Sequence, residues 1–594
     1  GYDWTSEGSP RLWRCDGLKL YGDEILSQET TCSDEALQAI ADEGFTGIWL
    51  DVPLNSIMRS TIFPELNQPE RNRRLAALRM VIQRAATHGL GLWLYFNEPL
   101  GVAADHPFWK THANARGDRC WNKFALCPSA PEVQAFLLEA VESVFREVQD
   151  VAGVILITAG EDVTHCWSKR PVAFGGTPPD CPRCREREPA DIVLQQIRAW
   201  ADVRNRQKSP FRILAWNWEW IYWYRDPQRE IALSLPEGVE LLLDMEIGGW
   251  KSLFGKRFEI REYSLGYIGP SERFVATRNA ARERRIPVHA KIEINCTHEL
   301  CSVPNVPVIG VLHGKFAALH ERGAAGFLGC WSQGVGLTLN TAAMRTFLRD
   351  PVRFADRTTY YAALGEEYFG CRHDEALGRA WDAFSAAFLH YPSSVSLLYG
   401  GPHNDAPARP LLLEFRGAPL CASFRAGDMG DDPSACIVAS GIEPNAFSLD
   451  EIIESYETMA AAWQAGVTDY AWALGQDSAK ATALQQLHRH QELSCARMIG
   501  LQLESIAIVF RFHRERLRVM AEFGLVAPCA LPPDGALVYS MRREIRNAEA
   551  ALPLVEADAR LGFHRESQTY KYNAELIRQK IAAMERSLSQ AGVA

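Results

Sequence analysis

The chain has 594 residues, 47% of them hydrophobic and 23% charged, with a formal net charge of −10. That length exceeds one ordinary core and calls for two or three domains, and the composition excludes a disordered, collagen-like or rod-like chain. The acidic balance argues against a nucleic-acid partner, whose binding face needs a basic surplus.

From the start to residue 345, short apolar runs alternate with stretches of helical length. The strand-like runs are Leu18–Tyr21, Gly47–Val52, Gly91–Phe96, Gly153–Thr158, Arg212–Trp216, Val239–Asp244, Val288–Ile292 and Gly326–Leu328. Helical patterns are expected over Asp34–Glu43, Pro69–His88, Pro131–Gln149, Pro189–Arg206, Pro227–Leu233, Ser271–Arg284 and Val308–Arg322. Ser33 and the Pro131-Glu132 pair are helix-start chemistry, and Gly44, Gly89 and Gly323 are helix stops. Eight such repeats predict an α/β fold, an N-terminal (β/α)8 TIM barrel over residues 1–345. A doubly wound open sheet is the alternative, disfavoured because no Gly-rich phosphate loop follows a strand. Residues 346–594 lose the alternation and read as a mainly α-helical C-terminal region. Long helices are expected within 349–395, 449–522 and 537–587, the last interrupted around Gly562–Tyr570.

In a (β/α)8 barrel the chemistry sits at the C-terminal strand ends. Those ends carry Asp51, then Asn97 and Glu98, then Glu161, Asp162 and His165. Further on come Asn217, Trp218, Glu219 and Trp220, then Asp244 and Glu246, then Lys291 and Glu293, and finally Trp331. Each acid alone is more often a cap or a solvated loop residue. Acids at six ends, with amides and indoles between them, suit a neutral polyhydroxylated substrate, because indole faces stack on the C–H faces of sugar rings. Trp216–Tyr224 is dense in aromatics, and Trp218 or Trp220 is expected to line such a site. Glycosidic cleavage needs an acid and a second group at the anomeric centre. Glu161 is the candidate acid, since it follows an apolar strand and neighbours Asp162, both of which raise a carboxyl pKa.

The turn Gly160-Glu161-Asp162-Val163 resembles the Gly-Gly-Asp-Glu turn after strand 4 of the family-20 β-N-acetylhexosaminidases, also (β/α)8 barrels. Here the acids are in reverse order and Ala159 replaces the first Gly. The resemblance implies a glycoside hydrolase acting on terminal N-acetylglucosamine or N-acetylgalactosamine by substrate-assisted retaining catalysis. Glu161 would be the acid, and Asp162 would steer the acetamido nucleophile. A second resemblance, to the large (β/α)8 clan of retaining glycosidases, implies Glu161 as acid/base and Glu293 as nucleophile on a non-acetamido sugar. Asn97-Glu98-Pro99 imitates that clan's Asn-Glu dipeptide, but on strand 3. A barrel that binds carbohydrate without cleaving it is the reading from another class. The segment Glu161, His165-Cys166, Cys181-Pro182-Arg183-Cys184 is also similar to a poorly described group of bacterial glycosidase-like proteins.

Cys166, Cys181 and Cys184, with His165 as another soft ligand, suffice for a structural zinc site beside Glu161, whereas packed thiols or one disulfide are the bland reading. No cofactor is expected to be required for catalysis. His298 and Glu299 lie near Cys296 and Cys301, where loop hydrogen bonding is expected ahead of a metal. The odd count of 15 Cys points to a reducing, cytoplasmic compartment, a trimmed signal peptide being the alternative. The expected partner is a carbohydrate substrate, with no nucleic acid and no membrane, since no uninterrupted apolar run approaches 18 residues. The helical half offers a surface for a homo-oligomer.

Overall fold

Eight parallel strands close on themselves in the computed structural model, which describes residues 2–15, 23–160, 162–168, 176–208, 210–223, 225–437, 447–476 and 478–593. They are β1 Arg11–Trp13, β2 Gly47–Asp51, β3 Gly91–Asn97, β4 Gly153–Ile157, β5 Arg212–Trp216, β6 Val239–Asp244, β7 Val288–Lys291 and β8 Gly326–Leu328. Each pairs with its sequence neighbours, and β1 closes the ring against β8 through Arg11↔Phe327 and Leu12↔Leu328. The strands are largely apolar because both faces are covered: every residue of β4 and β6 is buried.

One strand differs from expectation. The first is Arg11–Trp13, and the expected run Leu18–Tyr21 lies outside the described residues. Three residues beginning with a charge make no apolar run. Arg11 is tolerated there because its guanidinium donates to the carbonyls of Trp4, Ser6 and Gly44. The barrel helices follow the expected spacing, from Asp34–Asp42 and Arg71–Thr87 to Glu272–Glu283 and Ile309–Arg322. Ser33 and Ser271 accept from the backbone N–H of Ala36 and Phe274, the side-chain caps expected at helix starts. An insertion absent from the periodicity follows β3: a three-stranded antiparallel sheet of Val102–Ala103, Arg116–Cys120 and Lys123–Leu126.

The chain divides into two compact units, each built from several segments. The first holds residues 1–248, 270–292 and 319–331, including all eight barrel strands; the second holds 249–269, 293–318 and 332–594. In the second, the helices Arg357–Phe369, Asp374–Leu389, Leu449–Gly475, Ala483–Phe523, Gly535–Ala557 and Ala574–Gln590 surround a core that includes Trp381, Phe384, Trp463 and Phe510. Phe384 stacks on Trp463 at 4.3 Å between ring centroids. The interruption expected around Gly562–Tyr570 is a short hairpin, Phe563–His564 against Thr569–Tyr570. Among the described residues one helix, Ala483–Phe523, has the length and mean hydropathy (1.5) of a membrane span; 78% of that window is buried inside the protein, as in the central helix of a bundle.

Candidate active site

The C-terminal mouth of the barrel is floored by aromatic rings. Trp331, three residues past β8, stacks on Trp49 of β2, with centroids 4.9 Å apart and planes 9° from parallel. Tyr95 of β3 meets the edge of Trp331 at 4.9 Å, and Trp216 of β5 meets it at 5.7 Å. The Arg14 guanidinium lies 4.4 Å over the Trp49 ring and pairs with Glu24. At the end of β2, burial pushes the Asp51 carboxyl up to about 6, against the opposing pull of Arg14. Among these residues only Asp51 and Trp331 were expected at the site. Trp49 and Tyr95 sit inside their strands, so they carry no loop signal; alternation along the strand was the available clue.

Several expected substrate ligands are committed to holding the strand ends together. Both Glu98 oxygens accept backbone N–H groups, from Leu54 at 2.6 Å and Leu100 at 2.8 Å. Burial outweighs those two donors and pushes its carboxyl up to about 8. Asn217 bridges two elements: its Nδ2 donates to Gln228 Oε1, and its Oδ1 accepts from the Asp244 backbone N–H at 3.0 Å. Asp244 in turn accepts from Trp216 Nε1 at 2.8 Å. Trp220 is fully buried, and its Nε1 donates to Thr158 Oγ1, tying the ends of β4 and β5. His165 has no exposed surface, and burial lowers its pKa to about 3. Its Nδ1 accepts from the Trp167 backbone N–H, so the ring organises its own turn. Glu98, Asn217, Asp244, Trp220 and His165 thus each carry structural bonding at the strand ends. Polar groups at a crowded strand end must satisfy backbone donors first.

What remains accessible is narrower. Trp218 is half-buried, lies 6.1 Å from Trp216, and packs so closely on Gly160 that a Cβ there would meet its Cδ1 at 2.4 Å. Gly160 directly precedes Glu161, which itself lies outside the described residues. Asp162 is 24% exposed, and both its oxygens contact Lys123 Nζ, at 2.9 and 2.8 Å. Lys123 belongs to the insertion after β3 and carried no motif. Glu219 is half-buried in a left-handed backbone conformation, and Asn97 is half-buried at the end of β3. Glu246 and Lys291 are fully buried, with Lys291 Nζ donating to the Ile292 carbonyl. Glu293, 3% exposed, is grouped with the second unit. A separate cleft lined by Pro99, Val133, Leu137, Gln196 and Ala199 lies beside the helices Pro131–Phe145 and Pro189–Gln207; none of these strand-end side chains lines it.

Two clusters of soft ligands occur among the described residues. The thiols of Cys127, Cys166, Cys181 and Cys184 all lie within 4.8 Å of one another. Cys127, directly after the insertion sheet, was absent from the expected set, and His165 is not among the four. In the second unit, His298, Cys301 and His564 converge similarly, with Cys301 Sγ 3.2 Å from His564 Nε2. Glu299 is not a ligand there: it accepts from Ser264 Oγ, Thr297 Oγ1 and the backbone N–H of Leu265 and Gly266.

No family model matches the chain, and no curated protein matches it. Among solved structures it is similar to a GH138 enzyme targeting pectin rhamnogalacturonan II. The identity is 11%, with 98% of this chain and 68% of that one covered, at a TM-score of 0.53. A mutant of the Thermobaculum terrenum O-GlcNAc hydrolase aligns at 8% identity over 99% of this chain and 97% of that one, with a TM-score of 0.36. A trimodular GH5_4 endoglucanase aligns at 13% identity over 59% and 60%, also at 0.36. At such identities the likeness is one of architecture, and the chain shares its fold with the GH138 enzyme: a closed (β/α)8 barrel followed by a helical region.

Proposed function

We propose that this protein is a glycoside hydrolase working at the C-terminal mouth of its barrel, with Glu161 as the acid. The observation that carries this reading is Trp218: a half-buried residue beside Trp216 of the aromatic floor and packed on Gly160, which precedes Glu161 in the sequence. Such a ring suits a pyranose face. The shared fold with a pectin-targeting enzyme supports the class and not the sugar.

The finer reading is β-N-acetylhexosaminidase-like. Glu161 protonates the leaving oxygen, the substrate's acetamido oxygen closes on the anomeric carbon, and Asp162 holds the acetamido N–H. One observation favours the alternative in which a protein carboxylate is the nucleophile: both Asp162 oxygens already contact Lys123 Nζ. Paired aryl glycosides that differ only at C2, acetamido against hydroxyl, separate the two. Turnover confined to the acetamido member supports Asp162, and equal turnover of both sinks acetamido participation. Glu161→Gln is expected to lower kcat by about 10²–10⁴-fold on the active substrate. Full activity in that variant removes the assignment, and sugar binding without turnover across the panel marks a non-catalytic barrel.

A further inference from the structure

We propose that Cys127, Cys166, Cys181 and Cys184 bind one zinc ion as four thiolates, closing a structural site that ties the insertion after β3 to the loop after β4. Zinc held by four sulfurs at about 2.3 Å places those sulfurs about 3.8 Å apart at the corners of a tetrahedron. The cluster has that size: Cys127 Sγ is 3.6 Å from both Cys181 Sγ and Cys184 Sγ, and all four atoms lie within 4.8 Å of one another. A disulfide would need about 2.05 Å, and all four cysteines are free.

The surroundings are built for negative sulfur rather than for packed thiols. Arg183 Nε donates to Cys127 Sγ at 3.2 Å, and Ser129 Oγ lies 3.2 Å from Cys184 Sγ. Arg187 in turn donates to Ser129 Oγ at 2.6 Å, so a second cation stands behind that hydroxyl. Such second-layer donors orient and neutralise metal thiolates. The backbone is shaped to match. Cys184 and Arg185 both donate N–H to the Cys181 carbonyl, the tight turn that lets two residues three apart share an ion. Cys127 is pinned by its N–H to the Ala115 carbonyl. Gly117 leaves room for the cluster, since a Cβ there would meet Cys166 Sγ at 2.7 Å.

The insertion and the loop after β4 also carry Lys123 and Asp162, so the ion would hold that pair in place. Full-length protein purified under reducing conditions without chelator is expected to hold one zinc per chain by elemental analysis. Exchange with Co²⁺ is expected to produce the intense absorption of tetrahedral cobalt thiolate. Cys127→Ser is expected to weaken Zn²⁺ retention against a chromophoric chelator by at least about 10-fold. Cys120→Ser, outside the cluster, is expected to leave retention unchanged. If Cys127→Ser does not fold, alkylation of the wild-type chain followed by mass spectrometry reads the same point: Zn²⁺ should protect all four thiols together. Absence of zinc with no uptake of Co²⁺, alkylation of Cys127 that is indifferent to Zn²⁺, or a disulfide among the four would overturn the proposal.

Discussion

Trp218 and Trp220 stand two residues apart in one aromatic tract, and no local pattern separates them. Their environments do. Trp220 is fully buried with its Nε1 bonded to Thr158, whereas Trp218 is only half-buried where it packs on Gly160. Trp218→Ala is therefore expected to raise KM on the active aryl glycoside by about 10-fold, about 1.4 kcal/mol, with little change in Tm. Trp220→Ala is expected to cost about 3–5 kcal/mol of stability by thermal or denaturant unfolding. Equal Tm losses in the two variants would contradict the distinction. Residue types at the strand ends were legible because the barrel period places them, but their partners were not. Asn217 meets Gln228, eleven residues on, and the Asp244 backbone; Glu98 meets Leu54, forty-four residues back. Such pairings depend on which loops fold over which strand, and sequence spacing does not encode that.

At the scale of elements, strands buried on both faces and capped helices wrote themselves into the apolar pattern, and seven of the eight barrel strands lie where the runs are. Arg11–Trp13 escaped because a strand of three residues has no period to read. The helical segments hide a different feature. Lys580 and Glu544, one on each of the last two long helices, form an ion pair with neither side chain exposed. Lys580 also donates to the carbonyls of Ala406 and Pro407, and Ser505 donates to Glu544. Burial lowers the lysine's pKa and raises that of the glutamate, and the pair offsets part of both costs. Lys580→Met strands the carboxylate and is expected to cost about 3–5 kcal/mol in denaturant unfolding. Adding Glu544→Leu is expected to recover most of that loss. A double variant no better than the single one would show that the pair itself, rather than the stranded charge, carries the stability.

Across the whole molecule, the two ends of the barrel do different work. At the N-terminal end, opposite the mouth, Arg212 forks onto Glu240, which also meets His289 Nε2 at 2.6 Å. Although burial opposes it, the His289 and Arg212 partners hold the Glu240 carboxyl down at about 2, while burial keeps His289 below its ordinary value. Both groups bind fewer protons folded than unfolded. Stability is therefore present at neutral pH, begins to fall below the ordinary histidine range, and is lost steeply from about pH 4.5 towards 2. The glutamate is expected to account for about 3 kcal/mol of that loss. Unfolding measured from pH 7 to 2 checks this: Glu240→Gln should lower Tm at pH 7 and flatten the acid limb, and an unchanged limb would count against it. The barrel, the helical region after it and the candidate acids at the strand ends were legible in the chain's pattern, because burial on two faces and helix caps are local and periodic. The fold alone set the division into two units of interleaved segments, the accessibility of Trp218 rather than Trp220, and the contact of Lys123 with Asp162. It also decided that Cys127 completes the thiol cluster. Each of these depends on loops distant in sequence meeting in space, and no spacing rule carries that information.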